Sequence, residues 1–89
     1  MAAISKFVAS DASMILPFNG YDLPQGGREA ALFKAMNGLK PGEVLRLFID
    51  QNPLSLIHKL VIRYGSRLIF QYLQNRDGTV IIDFKKVRD

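Results

Sequence analysis

The stretch Leu39-Lys40-Pro41-Gly42-Glu43-Val44-Leu45-Arg46-Leu47-Phe48-Ile49-Asp50-Gln51-Asn52-Pro53-Leu54 contains a helix stop, a strand and a helix start in immediate succession. Lys40-Pro41-Gly42 ends the preceding element, because proline has no amide to donate and glycine accepts backbone angles that other residues avoid. From Glu43 to Asp50 the side chains alternate. Leu45, Leu47 and Ile49 share one face, Arg46 and Phe48 the other, which predicts a strand. Asn52-Pro53 then reads as a helix start, with asparagine as the cap and proline at the first helical position.

The pattern continues in both directions. Upstream, Arg28 to Leu39 reads as a helix: Leu32, Ala35, Met36 and Leu39 recur at helical spacing, while Arg28, Lys34 and Asn37 face outward. Before it, Asn19 to Gly27 is rich in turn formers and reads as a loop. Met14 to Phe18 is a short apolar strand whose Pro17 marks a sheet edge. Downstream, Leu56, Ile57, Leu60, Val61 and Tyr64 form an apolar helical stripe closed by Gly65. Ser55, His58, Lys59, Ile62 and Arg63 lie elsewhere on that helix. Arg67 to Asn75 and Thr79 to Val87 then make a hairpin around a three-residue loop, Arg76-Asp77-Gly78. Its register pairs Phe70 with Phe84 and Tyr72 with Ile82 on one face, and Gln71 with Asp83 and Leu73 with Ile81 on the other.

The order is strand–helix–strand–helix–strand–strand, an α/β (α+β two-layer) sandwich. Right-handed crossovers place both helices on one face of a four-stranded mixed sheet. Its other face stays open and carries Arg46, Phe48, Ile69, Gln71, Leu73, Ile81, Asp83 and Lys85. The 89 residues suffice for one domain, with residues 1–12 expected to form a loose arm.

Composition narrows the chemistry. The chain has no cysteine, so disulfides, thiolate catalysis, cysteine zinc sites and iron–sulfur clusters are all excluded. A single histidine, His58, does not build a multi-histidine metal site. No apolar run is long enough to span a membrane, and Met1 to Ser10 has no apolar core of the signal-peptide kind, so a cytoplasmic protein is expected. The net charge of +4 comes from 12 Lys and Arg against 8 Asp and Glu, too evenly scattered to demand a polyanion; the densest stretch is Lys85-Lys86-Val87-Arg88.

The segments Leu39 to Leu45 and Asp50 to Leu54, in this order of elements, resemble the TusA/SirA-like sulfur-carrier superfamily from about Met14 to Val87. The likeness is closest to a cysteine-free branch of uncharacterised function, which carries an Asp-x-x-Pro-x-Pro-Leu-like segment; here it reads Asp50-Gln51-Asn52-Pro53-Leu54-Ser55-Leu56. The resemblance implies the strand order 1-2-4-3. It also implies that a Cys-Pro-x-Pro motif, whose thiolate carries sulfur at a helix start, is replaced here. Gln25 stands at the cysteine, Gly26 at the first proline and Arg28 at the second. Asn19 and Asp22 likewise depart from the upstream Asp-x-x-Gly-Leu pattern, while Leu23 keeps it. An amide forms no persulfide, so sulfur relay is excluded.

Four features offer candidate sites. Gln25-Gly26-Gly27-Arg28 offers glycine amides and a cation at a helix start, suited to an anion; a flexible loop is the plainer reading. His58 reads as a solvated surface residue, with no partner for general-base work. Asp50 and Asp83 show no convergence as a catalytic pair. The open face, through Arg46, Phe48, Ile69, Leu73 and Ile81, is expected to meet another protein or a second copy, unless Ile4, Phe7 and Val8 of the arm cover it. Arg46, Asp83 and Lys85 are expected at its rim. No catalytic residue, metal or cofactor is expected. Nucleic-acid binding through basic helix faces is the alternative, and no RNP-like motif supports it.

Overall fold

The structure is a computed structural model that describes residues 13–21 and 25–88. The arm expected over residues 1–12 lies outside the described residues, as do its Ile4, Phe7 and Val8. The elements run β1 (Met14–Asn19), α1 (Gln25–Asn37), β2 (Glu43–Ile49), α2 (Leu54–Tyr64), a 3-10 turn (Gly65–Arg67), β3 (Leu68–Arg76) and β4 (Thr79–Lys86). The sheet order is β1-β2-β4-β3. β1 runs parallel to β2, and β4 is antiparallel to both of its neighbours. This is the expected two-layer fold, two helices on a four-stranded mixed sheet.

One apolar cluster joins the layers. Leu32, Met36 and Leu39 come from α1 and the turn after it, and Leu56, Ile57, Leu60 and Tyr64 from α2. They pack on Leu45, Leu47 and Ile49 of β2 and on Leu68, Val80, Ile82 and Phe84 of the hairpin. Phe18, Phe33, Phe70 and Tyr72 border it. Val61, placed in the buried stripe by its spacing, is instead 49% exposed. The face that α2 buries is narrower than the stripe, centred on Leu56, Ile57, Leu60 and Tyr64.

The turn after α1 is built as its sequence requires. Gly42 has φ 92°, a conformation glycine alone adopts freely. Its amide donates to the Lys86 carbonyl at 2.7 Å, tying this turn to the end of β4. Glu43 Oε1 accepts from the Lys40 amide at 2.9 Å.

Three local expectations are corrected. α1 begins at Gln25, so Gly26 and Gly27 sit in its first turn rather than in a loop before it. First-turn amides lack intrahelical acceptors in any case, so glycines there weaken a helix less than in its middle. At α2, Pro53 and not Asn52 occupies the cap position, and its carbonyl accepts from the Ile57 amide at 2.9 Å. The Asn52 side chain is held elsewhere: its Oδ1 accepts from the Tyr72 hydroxyl at 2.5 Å. In the hairpin, Phe70–Phe84, Gln71–Asp83 and Tyr72–Ile82 pair as expected, but Ile81 pairs with Gln74 and not with Leu73. The loop is tighter than read, since Arg76 pairs with Thr79 and only Asp77 and Gly78 turn. The residue saved there reappears as a β-bulge at Leu73, where two residues of β3 oppose one of β4.

Candidate functional site

Two places in this fold have the shape of a site. The first lies at the carboxyl ends of β1 and β2. Strand-to-helix connections leave from that end, so the first turns of α1 and α2 both lie there; the Leu54 amide donates to the Asn52 carbonyl at 3.0 Å. A groove of about 460 Å³ opens between them, lined by Arg28 and Glu29 of α1, Ile49, and residues 51–56. Neither first turn carries an acidic residue. Arg28 Nη1 lies 3.4 Å from Asp50 Oδ1 at the groove's side. Lys59 Nζ reaches Glu29 at 2.9 Å. Of the four residues expected to hold an anion, Arg28 lines the groove, Gln25 opens the helix behind it, and Gly26 and Gly27 continue that helix. His58 is exposed on α2 and is not among the lining residues.

The second place is the open sheet face, which the strand registers resolve into three rows. Across the sheet they read Ile15–Val44–Lys85–Ile69, then Pro17–Arg46–Asp83–Gln71, then Asn19–Phe48–Ile81–Gln74, with Leu73 bulged beside the last. The middle row is the polar one. Arg46 Nε and Nη2 donate to the two carboxylate oxygens of Asp83 at 2.8 and 3.0 Å, a bidentate pair. Asp83 is 0% exposed. The Arg46 pKa is raised above the ordinary arginine value, chiefly by its hydrogen bond to Asp83. The guanidinium therefore stays charged throughout the working pH range.

This placement corrects the expected rim. Arg46 and Asp83 occupy the centre of the face, and only Lys85 flanks it. Phe48 and Ile81 are direct cross-strand partners, but Ile69 lies two rows away, with the Arg46–Asp83–Gln71 row between them. Leu73, at 45% exposure, projects from the bulge. The apolar residues thus form two bands separated by a polar one. Asp50 and Asp83 are not brought together. Asp83 answers Arg46 in mid-sheet, while Asp50 follows the end of β2 and answers Arg28.

Sequence reasoning missed one surface. Leu54 and Ile62 are the most exposed large apolar residues described, at 67% and 72%, and with Val61 they lie on the outer side of α2. The signal was present in the helical spacing for Leu54 and Ile62, which it puts away from Leu56 and Leu60; for Val61, one turn from Ile57, it pointed the other way. The cations expected to make a basic helix face are largely engaged within the molecule. Lys59 pairs with Glu29, and the Arg63 guanidinium carbon lies 5.3 Å from the Phe33 ring centre. Among the described residues, no helix is long and apolar enough to cross a membrane, and no three His, Cys, Asp or Glu side chains are grouped as a metal would require.

No curated protein and no solved structure matches the chain. A family model does, over residues 21–86, from the tyrosine after β1 to the last residue of β4. That span takes in both helices, three of the four strands, the groove and most of the open face. The chain belongs to the family described as uncharacterized conserved protein, DUF2249.

Proposed function

We propose that this chain is a non-catalytic adaptor of the TusA/SirA-like type, working in the cytoplasm through protein contact at its open sheet face and relaying no sulfur. The observation that carries the reading is the Phe48–Ile81 pair on a sheet face that neither helix covers. An antiparallel strand face left to water is ordinarily polar at alternate positions. Here the outward row holds two large apolar side chains instead. The fold supports the likeness to sulfur carriers, with the same order of elements and with Gln25 at the very start of α1. The absence of any cysteine from the chain removes the thiol that sulfur relay requires.

A second copy is the occupant this face suits first. Arg46 and Asp83 cancel, so Lys85 is the one uncompensated charge in the three rows, and two such faces meet with little repulsion. Sedimentation of the full chain over a concentration series tests this. Reversible dimerisation that Phe48→Asp abolishes, with the amide spectrum of the variant still that of a folded protein, is the expected result. A monomer at every concentration, or dimerisation that Phe48→Asp leaves intact, overturns it. Mass spectrometry after incubation with a cysteine desulfurase tests the chemical half: no sulfur adduct is expected, and a stable one overturns it.

The groove supports a second reading, binding of a small anion by Arg28 and the first-turn amides. A phosphate titration followed by amide shifts in residues 26–29 and 54–56, lost in Arg28→Gln, is the result that would favour it over the adaptor.

A further inference from the structure

Four of the chain's 12 Lys and Arg residues meet at the end of α2 opposite the groove. At the carboxyl end of α2, three cations surround one buried ring. The Arg63 guanidinium carbon lies 6.0 Å from the Tyr64 ring centre, that of Arg67 5.4 Å, and Lys86 Nζ 5.7 Å. A fourth, Arg88, hydrogen-bonds through Nη2 to the hydroxyl of Ser66, the residue before Arg67. The main chain holds the group together, since the Val87 amide donates to the Arg67 carbonyl at 2.9 Å.

Among the described residues, none of these four cations has a carboxylate partner. The ion pairs of the described residues are Arg28–Asp50, Arg46–Asp83 and Lys59–Glu29, and none involves the cluster. Asp89, next in sequence, lies outside the described residues. Lys86 is the most telling member: the residue is only 7% exposed, and its ammonium sits beside an aromatic ring with no anionic partner among the described residues. Arg67 donates to the Tyr64 and Arg63 carbonyls, yet three like charges within about 6 Å of one ring, with Arg88 tied to the adjoining Ser66, repel one another. A cation over a ring gains too little to offset a neighbouring cation fully.

We propose that this cluster, Arg63, Arg67, Lys86 and Arg88, is a docking site for an acidic segment of a partner protein. Charge complementarity selects an anionic occupant. The surroundings select a peptide among anionic occupants. Val61 and Ile62 precede Arg63, and Val87 lies between Lys86 and Arg88, all three exposed. Aliphatic side chains beside guanidinium groups suit glutamates interspersed with apolar residues. Single-stranded nucleic acid would use exposed aromatic rings for stacking, and here Tyr64 is buried and Phe33 lies under Arg63. A bilayer site would present tryptophan or tyrosine at its margin, and the cluster's one tyrosine is inside. Like charge also excludes a second copy at this end. The site is separate from the open face, so it stands whether or not that face self-associates.

The test uses the full chain, isotopically labelled, and a synthetic ten-residue peptide of glutamates with two leucines. Saturable amide shifts confined to residues 61–67 and 86–88, weakening as salt is raised, are expected. The double variant Lys86→Gln/Arg88→Gln should bind at least on the order of tenfold more weakly. Its unbound spectrum, compared with that of the wild type, reports whether the fold is kept. Phe48→Asp should bind the peptide unchanged, which separates failure here from failure at the open face. The same peptide with lysine for glutamate, an oligothymidylate, and vesicles of phosphatidylcholine with phosphatidylglycerol complete the series. Tighter binding to the oligonucleotide or the vesicles overturns the proposal. So does equal binding of the double variant, or the absence of localised shifts with the acidic peptide.

Discussion

The two faces of the sheet use the same strands and obey different rules. Beneath the helices, Leu45, Leu47, Ile49, Ile82 and Phe84 are buried without a polar atom among them. On the far side the same two strands present Val44, Arg46 and Phe48 against Lys85, Asp83 and Ile81. The covered face is specified by volume, because packed aliphatic groups have no other way to be wrong. The open face is specified by pairing, because Asp83 is fully enclosed and, among the described residues, the Arg46 guanidinium answers it. The first kind of face makes a domain stable. The second fixes which residue of β2 stands beside which residue of β4, since a slip of one position would leave a buried carboxylate opposite Leu45 or Leu47.

The largest effect should come from the covered face. Leu60 is buried in mid-α2, within the cluster that joins the layers. Leu60→Ala should destabilise the fold by about 2–5 kcal/mol in denaturant melts, a large part of what so small a domain has. A loss under about 0.5 kcal/mol would mean that α2 does not carry the core.

The central pair should come next, and it separates stability from specificity. Asp83→Ala removes a fully enclosed acceptor and leaves Arg46 without it, a change of about 1–3 kcal/mol. The double variant Arg46→Met/Asp83→Leu should recover most of that loss, since an apolar pair of similar volume needs no partner. If the double variant is no better than Asp83→Ala, the pair stabilises outright, and the two faces obey much the same rule.

How much of this could be read beforehand follows the same division. The covered face was legible, because period-two alternation in Glu43 to Ile49 and helical spacing in Leu56 to Leu60 report burial directly. Phe70–Phe84 and Tyr72–Ile82 were legible for that reason too. The Arg46–Asp83 pair was not. Both residues were placed on the open face, but β2 and β4 are distant in the chain and no turn fixes their register. Asn52 reads as a cap because local rules favour it, and it was diverted by Tyr72, which arrives from another strand. Val61 was assigned to the core because spacing alone does not say how wide a face the sheet and α1 will cover. The cationic cluster was least legible of all. Its members come from a helix end, a 3-10 turn and a strand end, brought together by a fold the charge pattern does not announce.

On the open face the effects on stability should be smaller. Phe48→Asp replaces a half-buried side chain that points away from the helices, so about 1–2 kcal/mol is expected, below the loss at Leu60. If it unfolds the chain while Leu60→Ala does not, the two faces have been exchanged.

The smallest effect should follow the most drastic-looking change, deletion of Leu73. Removing a residue from the middle of a strand ordinarily turns every later side chain to the opposite face. Here Leu73 is the extra residue of a bulge, exposed, with Tyr72 already opposite Ile82 and Gln74 already opposite Ile81. Taking it out leaves a continuous ladder with the tight Asp77-Gly78 turn unchanged, and Gly78 keeps the φ of 82° that the turn uses. The deletion should therefore alter stability by no more than about 1 kcal/mol in denaturant melts, with the amide pattern of Val80 to Phe84 preserved. With a three-residue loop and no bulge, Leu73 would itself stand opposite Ile81, and the same deletion would have to shorten the loop and re-pair every residue from Gln74 to Arg76. A loss well above about 1 kcal/mol, with the Val80 to Phe84 amides displaced, would mean that Leu73 is not the extra residue of a bulge.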